Sequence, residues 1–158
     1  MLRVSKFTDY AIVLMTYVAK SSSGAQHTAR QLALDSSLPL PTVSKTLKML
    51  ARAELLASVR GKHGGYHLAR AADQISVADM IVAIEGPVAL TECNSVEEIV
   101  CELQGTCPVQ SSWEMINDKV LGALEALSLA DMASAGTLCG HHHASSEAES
   151  GLLEILNR

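Results

Sequence analysis

The sequence lacks an apolar run long enough to form a secretory signal or a membrane-spanning helix. Between Leu2 and Val18 the apolar positions are interrupted by Arg3, Lys6 and Asp9, whereas a spanning helix needs about 20 consecutive apolar residues. We therefore expect a cytoplasmic protein with no membrane partner. The 158 residues, of which 48% are hydrophobic, suffice for one domain or for a small domain with an appended helical module.

Cysteine is scarce, and its placement is uneven. The chain has four cysteines, three of which, Cys93, Cys101 and Cys107, fall within fifteen residues. In the reducing cytosol such a cluster favours metal binding or redox sensing over a disulfide. One surface loop could direct the three thiolates at one point, which suits a soft metal. Three ligands do not complete a tetrahedral iron or zinc site, so a fourth must come from elsewhere in the fold or from a partner chain.

Catalytic motifs are missing as well. No Ser/His/Asp, Cys/His or paired-carboxylate arrangement accompanies a recognisable pocket motif, and the histidines before residue 141 are His27, His63 and His67. The glycine-rich segment 61–65 lacks the Gly-Lys-Ser/Thr ending of a phosphate-binding loop and the helix that would follow it. We therefore expect a binding protein and not an enzyme.

Positive charge is nearly absent from the second half of the chain. Residues 1–70 carry ten Lys and Arg against three Asp and Glu, a net charge of +7, whereas residues 71–158 carry two against fourteen, a net charge of −12. The overall net charge of −5 therefore hides two parts of opposite sign. Because phosphate contacts depend on local charge, the basic part suits nucleic acid. A solvated basic face is the alternative.

Apolar periodicity places three helices within the basic part. Residues 5–20 repeat apolar side chains every three or four positions, which predicts an amphipathic first helix. Thr28, with Gln31 three residues later, predicts the start of a short second helix. The Leu-Pro-Leu-Pro segment 38–41 stops that helix, and Pro41 suits the first position of a third helix. The predicted arrangement is helix, tight turn, helix.

The third helix carries a recognition face opposite its apolar stripe, formed by Thr42, Lys45, Lys48 and Arg52 with Ser44 beside them. In DNA-binding helices, long cationic and hydroxyl side chains leave the core together, so that some reach base edges and others bind phosphates. On an isolated helix this pattern would more often be an ordinary solvated face. The preceding short helix and turn favour DNA recognition by a helix-turn-helix.

A β-hairpin wing is predicted next. Residues 55–59 and 66–68 have the composition of two strands flanking the glycine-rich turn 61–65. Such a turn can enter the minor groove of DNA or follow its phosphates. Three further DNA-binding candidates lie at or beside the tip of the wing: Arg60, Lys62 and His63.

The acidic part predicts two longer helices. Ser76 and Asp79 form a capping-box pattern for one helix, which Gly86 and Pro87 end. A second helix begins at residue 111 or 112 and has an apolar seam of Ile116, Val120, Ala123, Leu124 and Leu127. The seam could pack on the same domain. Because a winged helix needs a second copy to read two half-sites, we favour a helix of a two-fold dimer.

These elements divide the chain into four segments and predict a fold that is mainly α with a small β-wing. The segments are a winged helix-turn-helix domain (1–86), a cysteine loop (87–110), a dimerisation helix region (111–132) and a flexible tail (133–158). The tail contains Cys139 and the histidine run 141–143, but its Ser/Ala/Glu/Gly-rich composition favours nonspecific metal scavenging. We assign the tail no role in the cysteine site.

Three stretches together resemble a known family: Leu2–Ala11, the wing sequence Arg60–Leu68 and the three-cysteine loop. Over about residues 1–132 the chain resembles the iron-sulfur-sensing winged-helix repressors related to IscR and NsrR. Within that family, Ala89–Cys93, Cys107–Val109 and Ser128–Met132 are most similar to the regulators of SUF-type iron-sulfur assembly operons.

The resemblance implies a homodimer that binds a palindromic double-stranded DNA operator and controls iron-sulfur assembly genes. It also implies an iron-sulfur cluster on Cys93, Cys101 and Cys107, two-iron two-sulfur in preference to four-iron four-sulfur, whose state changes DNA affinity. A winged-helix regulator with structural zinc, or with a switch that senses thiol redox state or nitric oxide, is the alternative.

The resemblance also bears on the fourth ligand. In the IscR branch a histidine follows the last cysteine by three residues, where this chain has Gln110. In the NsrR branch the ligand is an aspartate of the first helix, donated across the dimer, and Asp9 matches that motif. The resemblance therefore implies Asp9 from the partner subunit. Alternatively, Asp9 is simply a first-turn carboxylate that the helix dipole favours.

Overall fold

The computed structural model describes residues 4–21, 24–61, 64–95, 101–103 and 105–135, and it confirms a mainly helical fold with a small β-wing. The first part contains α1 (Lys6–Lys20), α2 (Ala29–Ser36), α3 (Leu40–Arg52), β1 (Leu56–Val59) and β2 (Gly65–Leu68). There follow α4 (Val77–Glu85), α5 (Gln110–Glu125) and α6 (Leu129–Ala135), with 3-10 turns at Ala72–Gln74 and Glu92–Asn94. In the described part of the chain, no helix has the length and apolarity needed to cross a membrane.

Helix starts follow the predicted local signals closely. Thr28 Oγ1 accepts a hydrogen bond of 3.1 Å from the Gln31 N–H at the start of α2. Ser76 and Asp79 exchange two hydrogen bonds of 3.0 Å in the capping box of α4. Helix α3 begins one residue before Pro41, so this proline takes the second helical position, where its missing N–H still costs no helical bond.

One apolar core joins the helix-turn-helix to the later helices. Helices α1, α2, α3, α4 and α6 contribute most of its fully buried members, among them Leu14, Met15, Leu32, Leu47, Leu50, Met80 and Leu129. Helix α1 lies in the middle and contacts α2, α3, α4 and α6. Because burial of apolar area is the main favourable term in folding, this shared core fixes the helices relative to one another.

Helix α6 returns to the body of the domain, which the local sequence patterns do not predict. The Leu129 N–H donates to the Ile75 carbonyl at 2.7 Å, and the Val77 N–H donates to the Leu127 carbonyl at 2.8 Å. Ser128 caps the helix together with Asp131, and these hydrogen bonds hold the pKa of the Asp131 carboxyl below its usual range. The region 111–132 therefore contains parts of two helices with different neighbours.

The wing is fastened to the helix-turn-helix by a backbone bridge. Strand β1 pairs antiparallel with β2, with Leu56 opposite Leu68. His27 and Tyr66 exchange backbone hydrogen bonds of 2.9 and 2.8 Å. A Cβ atom on Gly65 would lie 2.8 Å from the His27 carbonyl oxygen, so glycine permits this close approach. The wing is thus held at the start of α2.

Candidate nucleic-acid interface and cysteine loop

Helix α3 exposes the cationic part of its recognition face. Lys45, Lys48 and Arg52 are exposed, and their spacing of three and four residues places them on one side of the helix. Thr42 and Ser44 lie half-buried. An open groove of about 470 Å³ on this side is lined by Pro41, Ser44, Lys45, Lys48, Met49 and Arg52. The predicted recognition residues thus share one surface, opposite the buried side of α3.

Phe7 supports this surface from α1. The Lys45 ammonium nitrogen lies 4.4 Å from the centre of the Phe7 ring, within the range of a cation–π interaction. Tyr10 meets the same ring edge-on, with ring centres 6.5 Å apart. Helical periodicity places Phe7 on the apolar stripe of α1, so the sequence pattern alone does not indicate its contact with Lys45 of α3.

The wing tip places Arg60 beside the glycine turn. Arg60 is exposed and follows β1 directly. Gly61 has a φ of 120°, and its carbonyl accepts a hydrogen bond of 3.0 Å from the Gly64 N–H. A Cβ atom on Gly64 would lie 2.2 Å from a backbone oxygen of β1, so the turn requires glycine there. The other predicted wing contacts, Lys62 and His63, lie outside the described residues.

The three clustered cysteines are free and half-buried. Cys93 lies in the 3-10 turn after α4, with its sulfur 3.1 Å from Thr91 Oγ1. Cys107 precedes α5, and its carbonyl accepts a hydrogen bond of 3.5 Å from the Gln110 N–H. Among the described residues, no group of three or more His, Cys, Asp or Glu side chains is arranged to hold a metal ion. The three thiols therefore do not form a ready-made metal site within the described part of the chain.

Asp9 lies in the first turn of α1 and is exposed. Its N–H donates to the Ser5 carbonyl at 3.1 Å, which is an ordinary first-turn helical bond. The carboxylate is therefore placed where the helix dipole favours it and where a second molecule can reach it. Both interpretations of Asp9 fit this position.

Glu85, the last residue of α4, is fastened to the start of α1. Its carboxylate accepts a hydrogen bond from the hydroxyl of the fully buried Thr8 and another, of 2.8 Å, from the Ser5 N–H. The Thr8 bond and then the Ser5 bond hold the pKa of the Glu85 carboxyl below its usual range, although slight desolvation opposes them. These partners are about eighty residues apart, so no local pattern predicts the pair. The cysteine loop begins two residues after this joint.

A winged helix with a cationic recognition face defines a DNA-binding transcriptional regulator. The chain belongs to the Rrf2 family, described as iron-dependent transcriptional regulators, whose model matches residues 4–135. It is 30% identical to the HTH-type transcriptional regulator Rv1287 of Mycobacterium tuberculosis, covering 89% of this chain and 86% of that protein. Membership of a family of transcriptional regulators confirms that the protein is a DNA-binding regulator and not an enzyme.

Two solved structures share the fold at appreciable identity. The IscR of T. potens is 25% identical, covers 90% of this chain and 94% of its own, and superposes with a TM-score of 0.66. CymR of B. subtilis, described as a global cysteine regulator, is 27% identical, covers 85% of this chain and 98% of its own, and has a TM-score of 0.67. The expected kinship with IscR is confirmed.

Proposed function

We propose that the protein represses transcription by binding an operator through α3 and the wing, and that an iron-sulfur cluster controls its affinity for the operator. The observation that carries this proposal is the presence of three free thiols on the loop that joins α4 to α5. The description of the family as iron-dependent and the likeness to IscR support it. Repression of iron-sulfur assembly genes is the role that fits such control.

The donor set fits the proposed cluster. Cys93, Cys101 and Cys107 are half-buried thiols outside any disulfide, and thiolates are the usual ligands of iron-sulfur clusters. We propose a two-iron two-sulfur cluster. When bound, it would make the arrangement of the cysteine loop depend on iron supply and on oxidants. The chain contributes a loop that starts at the end of α4 and finishes at α5. Fixing this loop would set α5 relative to the recognition helices.

We infer that Asp9 of the partner subunit supplies the fourth ligand. The Asp9 side chain is exposed, so a second copy of the chain can reach it. The adjacent Thr8 donates to Glu85 of the same chain, so α4 fixes the first turn of α1, which would present Asp9 to the second copy. A carboxylate is a harder ligand than a thiolate, so this corner of the cluster would be the most labile.

We propose a homodimer held by exposed apolar side chains around α5, which include Ile116 of the predicted seam, whereas Leu124 of that seam packs on the core of its own chain. Val109, Trp113 and Ile116, spaced by four and three residues, are 47%, 39% and 40% exposed. Exposed apolar side chains that share one face of a helix, such as this stripe, are the kind of surface that a partner covers. A second copy of the chain covering this stripe would present two recognition helices to a palindromic operator.

A thiol-based regulator without a cluster is the second candidate. CymR of Staphylococcus aureus, which shares the fold at 26% identity, has a solved structure of an oxidized form. Free, half-buried cysteines can respond to oxidants by themselves when their thiolate form is accessible. Structural zinc on the same thiols is a further form of this candidate.

The visible absorption spectrum of anaerobically purified protein tests the proposal. Thiolate-bound iron-sulfur clusters absorb visible light through charge transfer, whereas zinc thiolates do not. We expect brown protein, and we expect Cys93→Ala, Cys101→Ala and Cys107→Ala each to remove the colour.

Cys139→Ala is the matched control because it removes the remaining cysteine of the chain, and it should leave the spectrum unchanged. Colourless protein that also fails to take up iron and sulfide would contradict the cluster. Stoichiometric zinc, or an oxidant-dependent loss of DNA binding, would then support the second candidate.

A further inference from the structure

The segment that carries Cys93 is tied to α5 at two points. The Leu90 N–H donates to Asn117 Oδ1 at 3.1 Å, and Asn94 Nδ2 donates to the Trp113 carbonyl at 3.1 Å. The two anchor residues on α5 are four apart, so they lie one turn from each other on the same side of the helix. Cys93 therefore lies between two hydrogen bonds that hold its segment against the first turns of α5.

The backbone around Cys93 is itself folded tightly. The 3-10 turn Glu92–Asn94 is closed by the Asn94 N–H, which donates to the Thr91 carbonyl at 3.0 Å. The Thr91 hydroxyl lies 3.1 Å from the Cys93 sulfur. Because the thiol contacts a residue of the same held segment, a change in the two hydrogen bonds to α5 can alter the direction of the thiol as well as the backbone.

Asn117 is an unusual residue for its place on α5. It is half-buried and lies on the same side as Leu121 and Leu124, which also turn inward from solvent. A polar side chain on an inward helix face needs a hydrogen-bond partner, and Asn117 has one in the Leu90 N–H. Because a backbone N–H can only donate, the amide oxygen must face it.

Helix α5 is also the frame for Cys107, which lies three residues before its start and bonds to its first turn. Two of the three clustered cysteines are thus placed by the same end of one helix. A shift in the position of either cysteine segment would therefore alter the position of the other through the start of α5.

We propose that Asn117 and Asn94 are positioning residues for the Cys93 thiol, and that through them α5 sets the exposure and reactivity of this cysteine. Only the effect of these residues on a bound cluster rests on the proposed function. The positioning of the thiol itself does not depend on a bound cofactor.

The two asparagines use opposite atoms, and this difference makes a sharp test. Asn117 accepts, so Asn117→Asp keeps the bond to Leu90 while Asn117→Leu, of similar volume, removes it. Asn94 donates, so Asn94→Asp removes the bond to the Trp113 carbonyl. The same change from asparagine to aspartate should therefore be tolerated at 117 and harmful at 94.

The test uses metal-free, reduced full-length protein in which Cys101→Ser, Cys107→Ser and Cys139→Ser leave Cys93 as the only thiol. The rate of its alkylation by iodoacetamide is measured for each variant. We expect Asn117→Leu and Asn94→Asp to raise the rate about fivefold. This is the factor by which the net free energy of one hydrogen bond changes an equilibrium constant. Asn117→Asp and the exposed-face control Lys119→Leu should stay within about twofold of the parent protein.

Equal rates for Asn117→Leu and the parent protein would overturn the proposal, and so would an Asn117→Asp variant as fast as Asn117→Leu. A cooperative thermal transition in each variant shows that the fold is retained. If Asn117→Leu does not fold, the contrast between Asn94→Asp and Asn117→Asp decides in its place.

The same asparagine substitutions in the chain with all four cysteines are then reconstituted anaerobically with iron and sulfide. We expect a shorter cluster lifetime for Asn117→Leu and a lifetime close to that of the parent protein for Asn117→Asp. If the parent protein takes up no cluster, the proposed function fails, while the alkylation rates still decide whether the asparagines position Cys93.

Discussion

At the scale of single residues, Lys45 is exposed and yet held by an aromatic ring. Its ammonium group lies over the Phe7 ring while the side chain remains on the exposed recognition face. A lysine held in this way loses less conformational freedom when it meets a phosphate than a freely rotating one. Phe7 is therefore expected to influence DNA affinity without touching DNA.

We predict that Phe7→Leu weakens binding to a DNA duplex selected from a random-sequence pool by about threefold, the range of an exposed cation–π contact. Phe7→Tyr should restore binding because it keeps the ring. Lys45→Ala should weaken binding more. It should also lower the slope of log affinity against log salt concentration by about one unit. Affinities measured at several salt concentrations check these values.

The double variant Phe7→Leu with Lys45→Ala should bind no more weakly than Lys45→Ala alone, since the ring then has no ammonium to hold. Additive losses would show that Phe7 acts by another route. Unchanged affinity in Lys45→Ala would exclude the recognition face at this position and leave a solvated basic face.

At the scale of elements, the joint between α1 and α4 depends on one carboxylate. Glu85 accepts from the Thr8 hydroxyl and the Ser5 N–H, and these bonds lower its pKa. A lowered folded-state pKa means that the stabilisation is fully present above the ordinary glutamate pKa. It is lost as pH falls through the lowered folded-state pKa.

We predict that Thr8→Val lowers the free energy of unfolding at neutral pH by about 1 to 2 kcal/mol, because it removes a hydrogen bond to a charged group at a buried position. It should also reduce the loss of stability on acidification, since the pKa of Glu85 then moves back toward its ordinary value. Urea unfolding of metal-free protein from neutral pH to about pH 3 measures both effects.

Glu85→Gln is the matched control for this joint. The amide oxygen still accepts both hydrogen bonds but does not titrate, so the pH-dependent part should disappear while most of the bonding remains. If the free energy of unfolding of Glu85→Gln falls with pH as it does in the wild-type protein, other carboxylates govern acid unfolding.

At the scale of the whole molecule, the proposed sensor site needs two chains. The three cysteines of one protomer would meet Asp9 of the partner subunit, and the stripe on α5 would hold the protomers together. Such an arrangement would make the state of the cysteine loop a property of the dimer, and so of the spacing between its two recognition helices.

We predict that Asp9→Ala shortens the cluster lifetime or shifts its visible spectrum. Mixing Asp9→Ala protomers with Cys101→Ala protomers should restore one native site per heterodimer, made of the cysteines of the first and the Asp9 of the second. Cluster content per dimer and lifetime after mixing are the measurements.

A ligand from the same chain would give no such rescue. If Asp9→Ala keeps the wild-type spectrum, lifetime and DNA affinity, Asp9 is only a carboxylate at the start of a helix. The next candidates for the fourth ligand would then be Glu92, Gln110, the histidines 141–143 or a bound small molecule.

The sequence by itself determined the helix-turn-helix, the wing and the cysteine-rich loop. Helix caps such as Thr28 with Gln31, and Ser76 with Asp79, need only residues three apart, so spacing along the chain is enough to find them. The cationic face of α3 was equally predictable because helical periodicity is a local property of the sequence. Family kinship rested on similarly short, contiguous stretches.

Only the tertiary structure decided which distant residues meet. Four contacts illustrate this, and each joins residues between 27 and 77 positions apart in the chain. They are the return of α6 to the core, the Glu85 bond to Thr8, the Phe7 ring beneath Lys45 and the Asn117 bond to Leu90. No repeating pattern marks such pairs, since they form only when the shared apolar core fixes the helices side by side. The local sequence therefore determined the parts, and packing determined which parts are coupled.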